Sequence, residues 1–287
     1  MFKMDWSKAK KIMIIAFIVV NVALLSTIIG NDIRSRDYIT TEQDVKERLK
    51  KINVDIKTDI PKSTPNIQML EVEYQSYDKI NSKLDIARKF INSSNLLELA
   101  KIDERKNSII FESEHERFKI LKDRKIVYEY KSYERSAPVK YDYHEVASNF
   151  LEDKGFKTSD YKLTKLEKNN DIVNLTYTKE YQDTMVEKSY MKFTIRNARV
   201  IKFERLWLNT IKEKENNIKL RPATDSLLKL LSVEGIRNKT IKNIVACYYF
   251  DPNNTDVFEF DEFKSGDAFP AWKVEFTDGI IKYLYEE

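Results

Sequence analysis

Hydrophobic and polar positions divide this chain into two unequal parts. Ile12 to Ile29 form an almost unbroken apolar run of eighteen residues, interrupted only by Asn21, Ser26 and Thr27. As a helix rising ~1.5 Å per residue, this run is ~27 Å long, close to the hydrocarbon thickness of a bilayer. Everything after it mixes polar and apolar positions as a folded region does. The pattern therefore predicts a single transmembrane helix that holds a large domain at one membrane face. Lys3, Lys8, Lys10 and Lys11 precede the run against Asp5 alone, whereas Asp32, Arg34, Arg36 and Asp37 cancel after it. Lysine and arginine excess marks the cytoplasmic side, so the short N-terminus is expected inside and the main domain outside the cell. Trp6, with Lys8, Lys10 and Lys11, fits the membrane interface. A cleaved signal peptide is the rival reading. It would need a small residue three positions before the cut, where a cut after Gly30 finds Ile28.

Beyond a polar tether, helical and strand periods alternate. Thr41 and Asp44 open a helix as a capping box, and Val45, Leu49 and Ile52 give it one apolar face. Three units of one helix followed by strands come next. The first has a helix through Leu84, Ile86, Ala87, Phe90 and Ile91, then strands 108–112, 117–121 and 125–130. In the second, Asp142 caps a helix with Glu145 three residues on, Val146, Phe150 and Leu151 face inward, and Gly155 stops it. Strands 161–165, 172–180, 188–195 and 200–208 follow. In the third, Pro222 and Asp225 precede a helix at 227–231, Gly235 ends it, and strands 241–250, 271–276 and 280–285 close the chain. The last two strands read as a hairpin, because Trp272, Val274 and Phe276 alternate with charged residues before the Asp278-Gly279 turn. The expected fold class is α+β, a single transmembrane helix followed by antiparallel sheets each covered by helix. The expected divisions are 1–30 (cytoplasmic stub and anchor), 31–66 (tether, helix and strand), 67–215 (two helix-plus-sheet units) and 216–287 (helix plus hairpin).

Charge narrows the function. The formal net charge is +4, and four lysines and one aspartate lie in the first thirty residues. The remainder, 46 basic against 45 acidic residues, is nearly neutral. The basic balance thus belongs to the anchor flank, and no basic stripe suited to nucleic acid is present. Cys247 is the only cysteine, so no internal disulfide is expected, which suits a Gram-positive or anaerobic bacterium; its apolar stretch 244–250 reads as a buried strand.

No catalytic constellation emerges. His115 and His144 have no second ligand at metal spacing, and glycine-rich phosphate loops and nucleophile motifs are missing from the sequence. No cofactor, metal or catalytic residue is expected. The acidic stretch 251–262 has oxygen ligands for calcium but lacks the spacing of an EF-hand loop, and reads as a solvated loop. What remains is the apolar helix itself. Asn21 lies at mid-span, where an amide seeks a hydrogen-bonding partner, and Ala16, Val20, Ala23 and Thr27 form a stripe of small or β-branched residues. The bland reading is a tolerated asparagine on a helix that simply spans. The sharper one is a helix that docks on a partner helix through Asn21, Ala23, Thr27 and Ala16.

The opening Met4-Asp5-Trp6-Ser7-Lys8-Ala9-Lys10, running straight into an apolar helix with a central Asn, resembles the two-component system regulatory protein YycI family. The similarity continues in the helix 45–52 with Val54-Asp55-Ile56 and Pro61, and at Pro270-Ala271-Trp272-Lys273-Val274 with Asp278-Gly279. The resemblance implies a single-pass Gram-positive cell-membrane protein. Such a protein acts with the related membrane protein YycH on the sensor histidine kinase WalK (also called YycG), which controls cell-wall metabolism. Contacts through the transmembrane helices and the extracytoplasmic domains are implied, with no enzymatic activity. An alternative that fits the helix-plus-hairpin pattern is a PepSY-like extracytoplasmic module that binds or inhibits a peptide or protein. A membrane-tethered cell-wall enzyme would need a polar cluster that the sequence does not offer.

Overall fold

The structure is a computed structural model that describes residues 10, 13–22, 40–103, 107–131, 140–156, 159–214, 219–250 and 264–286. Residues 13–22 are helical and exposed. The folded region opens with helix α1, Glu42–Lys50. Its capping box is complete: Thr41 Oγ1 accepts from the Asp44 amide and the Asp44 carboxylate accepts from the Thr41 amide. Val45 and Leu49 are fully buried, as the apolar spacing requires.

After β1 (Asp55–Ile56) and β2 (Met69–Tyr74) comes α2 (Ile80–Arg88). An antiparallel meander follows, β3 (Ala100–Asp103), β4 (Ser108–Glu112), β5 (Glu116–Leu121) and β6 (Lys125–Tyr130). Helix α3 is Tyr143–Asp153. Its cap is Asp142, which accepts from the amides of His144 and Glu145. Gly155 ends it at φ +71°, a conformation that costs a side-chain-bearing residue about 1–2 kcal/mol. A second meander runs β7 (Tyr161–Asn169), β8 (Ile172–Tyr181), β9 (Thr184–Arg196) and β10 (Arg199–Leu206). Trp207 then breaks the strand to bury its indole, and β11 (Leu208–Lys214) continues, where one strand ending at 208 was expected.

In the third unit the helix starts earlier than the expected 227–231. Pro222, whose ring fixes φ at −49°, opens α4 (Ala223–Leu227), which tightens into a 3₁₀ turn at Leu228–Ser232. Strands β12 (Thr240–Phe250), β13 (Ser265–Phe276) and β14 (Ile281–Tyr285) complete the chain. The β13–β14 hairpin pairs as the alternation predicts, with Trp272 opposite Leu284. Gly279 at φ +88° supplies the turn, and Asp278 Oδ1 accepts from the Ile280 amide.

The architecture is mixed α+β, a large sheet with few helices. Instead of separate sheets, the described strands form one hydrogen-bonded network ordered β11-β2-β13-β12-β9-β10-β6-β5-β4-β3, with β14 on β13, β8 on β9, β7 on β8 and β1 on β12. Strand length explains this. β13 pairs with β2 over Ser265–Ala268 and then with β14 over Ala271–Glu275. β9 pairs with β12 at Met185 and Val186, and with β10 from Tyr190 onward. The β9–β12 and β1–β12 pairings are parallel, which departs from the expected all-antiparallel arrangement.

Two helix-covered cores flank a smaller one. The larger packs α2 and α3 on β3–β10, around Phe90. That ring is stacked on Phe118 at 4.6 Å and touches Phe150, Phe156 and Phe203. In the second, Val45 and Leu49 of α1 meet Leu227, Leu230, Trp272, Val274, Phe276 and Leu284. Between them, Leu70, Val72, Val186, Leu208, Tyr248 and Phe250 form the third.

Candidate functional site

The apolar N-terminal helix is the first place to look, because its composition has no use inside the folded region. Met13, Phe17, Val19 and Val22 expose 60–73% of their surface, and Ile14, Ile15, Ile18 and Val20 are also exposed. A continuous apolar surface of this kind calls for lipid or protein around it. Among the described residues no helix is long and apolar enough to cross a membrane. The described stretch, residues 13–22, covers ten of the eighteen positions of the apolar run. Ala16 and Asn21 lie on it, both exposed. The Asn21 amide nitrogen donates to the Phe17 carbonyl at 2.8 Å, so the side chain lies back along its own helix and one amide hydrogen is already satisfied. Its carbonyl oxygen has no partner among the described residues. Lys10 is exposed. Ala23, Thr27, Trp6, Lys8 and Lys11 lie outside the described residues, as does the acidic stretch 251–262.

The sequence-predicted chemistry of the outer region takes structural roles. His144 Nδ1 is 2.8 Å from the Tyr177 hydroxyl, and its ring packs beside Tyr143. His115 is exposed, with Glu114 at 3.9 Å. No group of three or more metal-ligating side chains occurs among the described residues. Cys247 is fully buried on β12, and burial pushes its thiol well above the ordinary value, with Glu187 adding to the effect. A thiol held neutral there is no nucleophile.

What sequence reasoning missed is a polar network on the helix-free face of β9, β13 and β14. Lys273 Nζ lies 2.9 Å from Glu187 Oε1 and 3.0 Å from Glu275 Oε1. The Tyr283 hydroxyl donates to Glu187 Oε2 at 2.9 Å. Burial and the adjacent Glu187 carboxylate push the Tyr283 phenol up. Burial works to lower the Lys273 ammonium, but Glu187 and Glu275 together outweigh it and the group sits above the ordinary lysine value. In the alternating hairpin Lys273 reads as a solvent-facing position, yet its side chain is only 12% exposed. No local signal announces this, since Glu187 is 86 residues away. On the same helix-free side, Glu204 is bridged by Lys125 at 2.7 Å and Lys202 at 2.8 Å. Burial would raise its carboxyl; those two lysines hold it down to about 2. A third cluster holds Arg205 between the Phe156 and Trp207 rings, both 4.8 Å away, with Gln75 accepting from Nη1. Burial lowers this guanidinium to about 10.

These arrangements position and stabilise; none assembles a nucleophile, a base and an oxyanion site. Known proteins supply the rest. An uncharacterized protein from Eubacterium rectale ATCC 33656 shares the fold at TM-score 0.52 and 8% identity, over 86% of this chain and 95% of that one. YycH from Bacillus subtilis aligns at TM-score 0.46 and 14% identity over 79% of this chain, which spans 55% of it. The YpeB C-terminal domain from Bacillus megaterium aligns at TM-score 0.31 and 11% identity, over 74% of this chain and 100% of that domain. No curated protein sequence matches. The YycI protein family model matches residues 34–285, nearly the whole region beyond the apolar run, and the chain belongs to that family.

Proposed function

We propose that this protein is a non-enzymatic, membrane-anchored accessory regulator of a WalK-type sensor histidine kinase, acting together with a YycH-like membrane protein on cell-wall metabolism. The observation that carries the reading is the family match over residues 34–285. The apolar run supports the anchor: ten of its residues are an exposed helix with no use in the folded cores, and the lysine-rich flank before it favours a cytoplasmic N-terminus. On this reading the protein lies in the cell membrane as a single span with its main domain outside. Trp6, Lys8, Lys10 and Lys11 sit at the interface, and Ala16, Asn21, Ala23 and Thr27 face the partner helix. The free Asn21 carbonyl suits such a contact, which in lipid contributes about 0.6–2 kcal/mol per hydrogen bond. Regulation then amounts to binding one kinase conformation better than another, which shifts its population.

The test is affinity purification of the full chain from detergent-solubilised membranes, beside a version whose residues 1–30 are replaced by an unrelated anchor. Co-purification of a histidine kinase with the native anchor alone supports the reading and its helix interface. Recovery with both forms moves the contact to the outer domain. Recovery with neither overturns the regulator reading.

A further inference from the structure

The helix-free faces of the two sheet halves do not lie flat against solvent. They enclose a cleft of about 560 Å³, within the range of small-molecule sites. The device that makes it is a bulge in β9. Lys179 pairs with Val186, and the preceding residue of β8, Thr178, pairs with Tyr190, so Glu187, Lys188 and Ser189 have no partners opposite them on β8. Lys188 sits at φ +68°, a left-handed conformation rare for a residue with a side chain and costing on the order of 1–3 kcal/mol. Bulges of this kind re-aim side chains, and strain of this kind gathers at ligand clamps. Here the bulge points Glu187 at Lys273 and leaves Lys188 exposed over the stacked rings of Tyr249 and Tyr283.

Six lysines and four glutamates line the cleft. Each glutamate already has a lysine within 3.0 Å: Glu167 has Lys165, Glu187 and Glu275 share Lys273, and Glu204 has Lys202. Lys188, Lys192 and Lys242, all exposed, have no carboxylate partner among the described residues. The lining therefore carries two more lysines than glutamates, and Lys188, Lys192 and Lys242 all border the one concavity, where low-dielectric walls concentrate the positive field. Between them the wall offers neutral hydrogen-bonding groups. Asn174 accepts from Thr194 at 2.9 Å and keeps its two amide hydrogens, and Thr176 presents its hydroxyl.

We infer that this cleft binds a phosphate ester of a sugar or polyol, the phosphate held by Lys188, Lys192 and Lys242 and the hydroxyls by Asn174 and Thr176. The inference stands apart from the regulator reading, since it needs only the outer domain's surface. The test is calorimetric titration of the full chain in detergent with glucose 6-phosphate, inorganic phosphate and glucose. The sugar phosphate should bind in a salt-sensitive manner, about tenfold or more tighter than either inorganic phosphate or glucose. K188E/K192E/K242E should abolish binding and melt as the parent does without ligand. Should that variant fail to fold, Lys192→Gln alone should weaken binding on the order of tenfold. No binding of the sugar phosphate, equal binding of glucose or inorganic phosphate, or affinity unchanged in the lysine variants would each overturn the assignment.

Discussion

Replacing Lys273 by Met tests whether the Glu187–Lys273–Glu275 network stabilises the fold or merely occupies space. The side chain is 12% exposed, flanked by Glu187 at 10% and Glu275 at 23%. Removing one partner of a buried pair costs about 3–5 kcal/mol, because the other charge stays behind without compensation. The residual exposure places the expected loss near the lower end, ~3 kcal/mol. For a region of this size that corresponds to a melting-temperature drop of roughly 6–12 °C. Glu187→Gln should cost about 1–2 kcal/mol, since Lys273 keeps Glu275 and the Tyr283 hydroxyl can still donate to the amide oxygen. The informative quantity is the cycle. Once Glu187 is neutral, removing Lys273 strands one carboxylate fewer, so the double variant should fall short of the summed losses by at least ~1.5 kcal/mol. The Lys273 value is raised in the fold. Its contribution is therefore complete below the ordinary lysine value of 10.5 and is lost as pH rises through the raised one. Urea unfolding of the full chain in detergent at pH 7, for wild type, both single variants and the double, gives all four corners. Additivity within ~0.5 kcal/mol would refute the coupling argued from the 2.9 Å contact.

Other expectations follow from single sites. Glu204, held at about 2 by Lys125 and Lys202, contributes stability that is present above the ordinary 4.5 and lost as pH falls towards 2. The melting difference between wild type and Glu204→Gln should therefore shrink between pH 6 and pH 2.5, and a constant difference would contradict it. Phe90→Ala empties the centre of the larger core and should cost about 3–5 kcal/mol in chemical denaturation. Cys247 should resist maleimide in the native protein and react once denaturant opens the sheet; rapid labelling of the folded chain would contradict its burial.

Local chemistry explains which parts of the fold were legible in the sequence. The α1 capping box, the Asp142 cap, the Gly155 stop and the Asp278-Gly279 hairpin each depend on residues within a few positions of one another. β2 carries a usable local signal in the alternation of Leu70, Val72 and Tyr74 between the prolines and α2. The single sheet carried none. Whether β9 ends at one neighbour or passes on to a second depends on partners more than fifty residues away, Cys247 and Tyr248 among them. The cleft fails the same way: Lys188, Lys192 and Lys242 read as ordinary surface charge until the bulge and the β12–β14 face are brought together. Of the helix-contact set, Ala16 and Asn21 are placed on an exposed apolar helix, and Ala23 and Thr27 lie outside the described residues.

The topology gives the regulator reading a mechanical consequence. Helix α1 is the first described element after residues 13–22, yet it packs on the far end of the chain: Val45 and Leu49 are fully buried with Trp272 and Phe276. β1 adds a parallel pair to β12 in the same body. A displacement of the chain entering at residue 40 therefore bears first on the C-terminal hairpin rather than on the α2–α3 core. From there the route to the larger core runs through β12 and β9, which pair at Cys247–Met185 and Tyr248–Val186. The next three residues of β9 are the bulge that shapes the cleft. The cleft thus lies beside the β9–β12 pairing that joins the core holding α1 to the core holding α2 and α3. A ligand held by Lys188, Lys192 and Lys242 would bridge β9 and β12. Packed elements with two arrangements are what carry coupling between distant sites. On the regulator reading, occupancy of the cleft and strain on the anchor would act on the same few strands, β9 and β12.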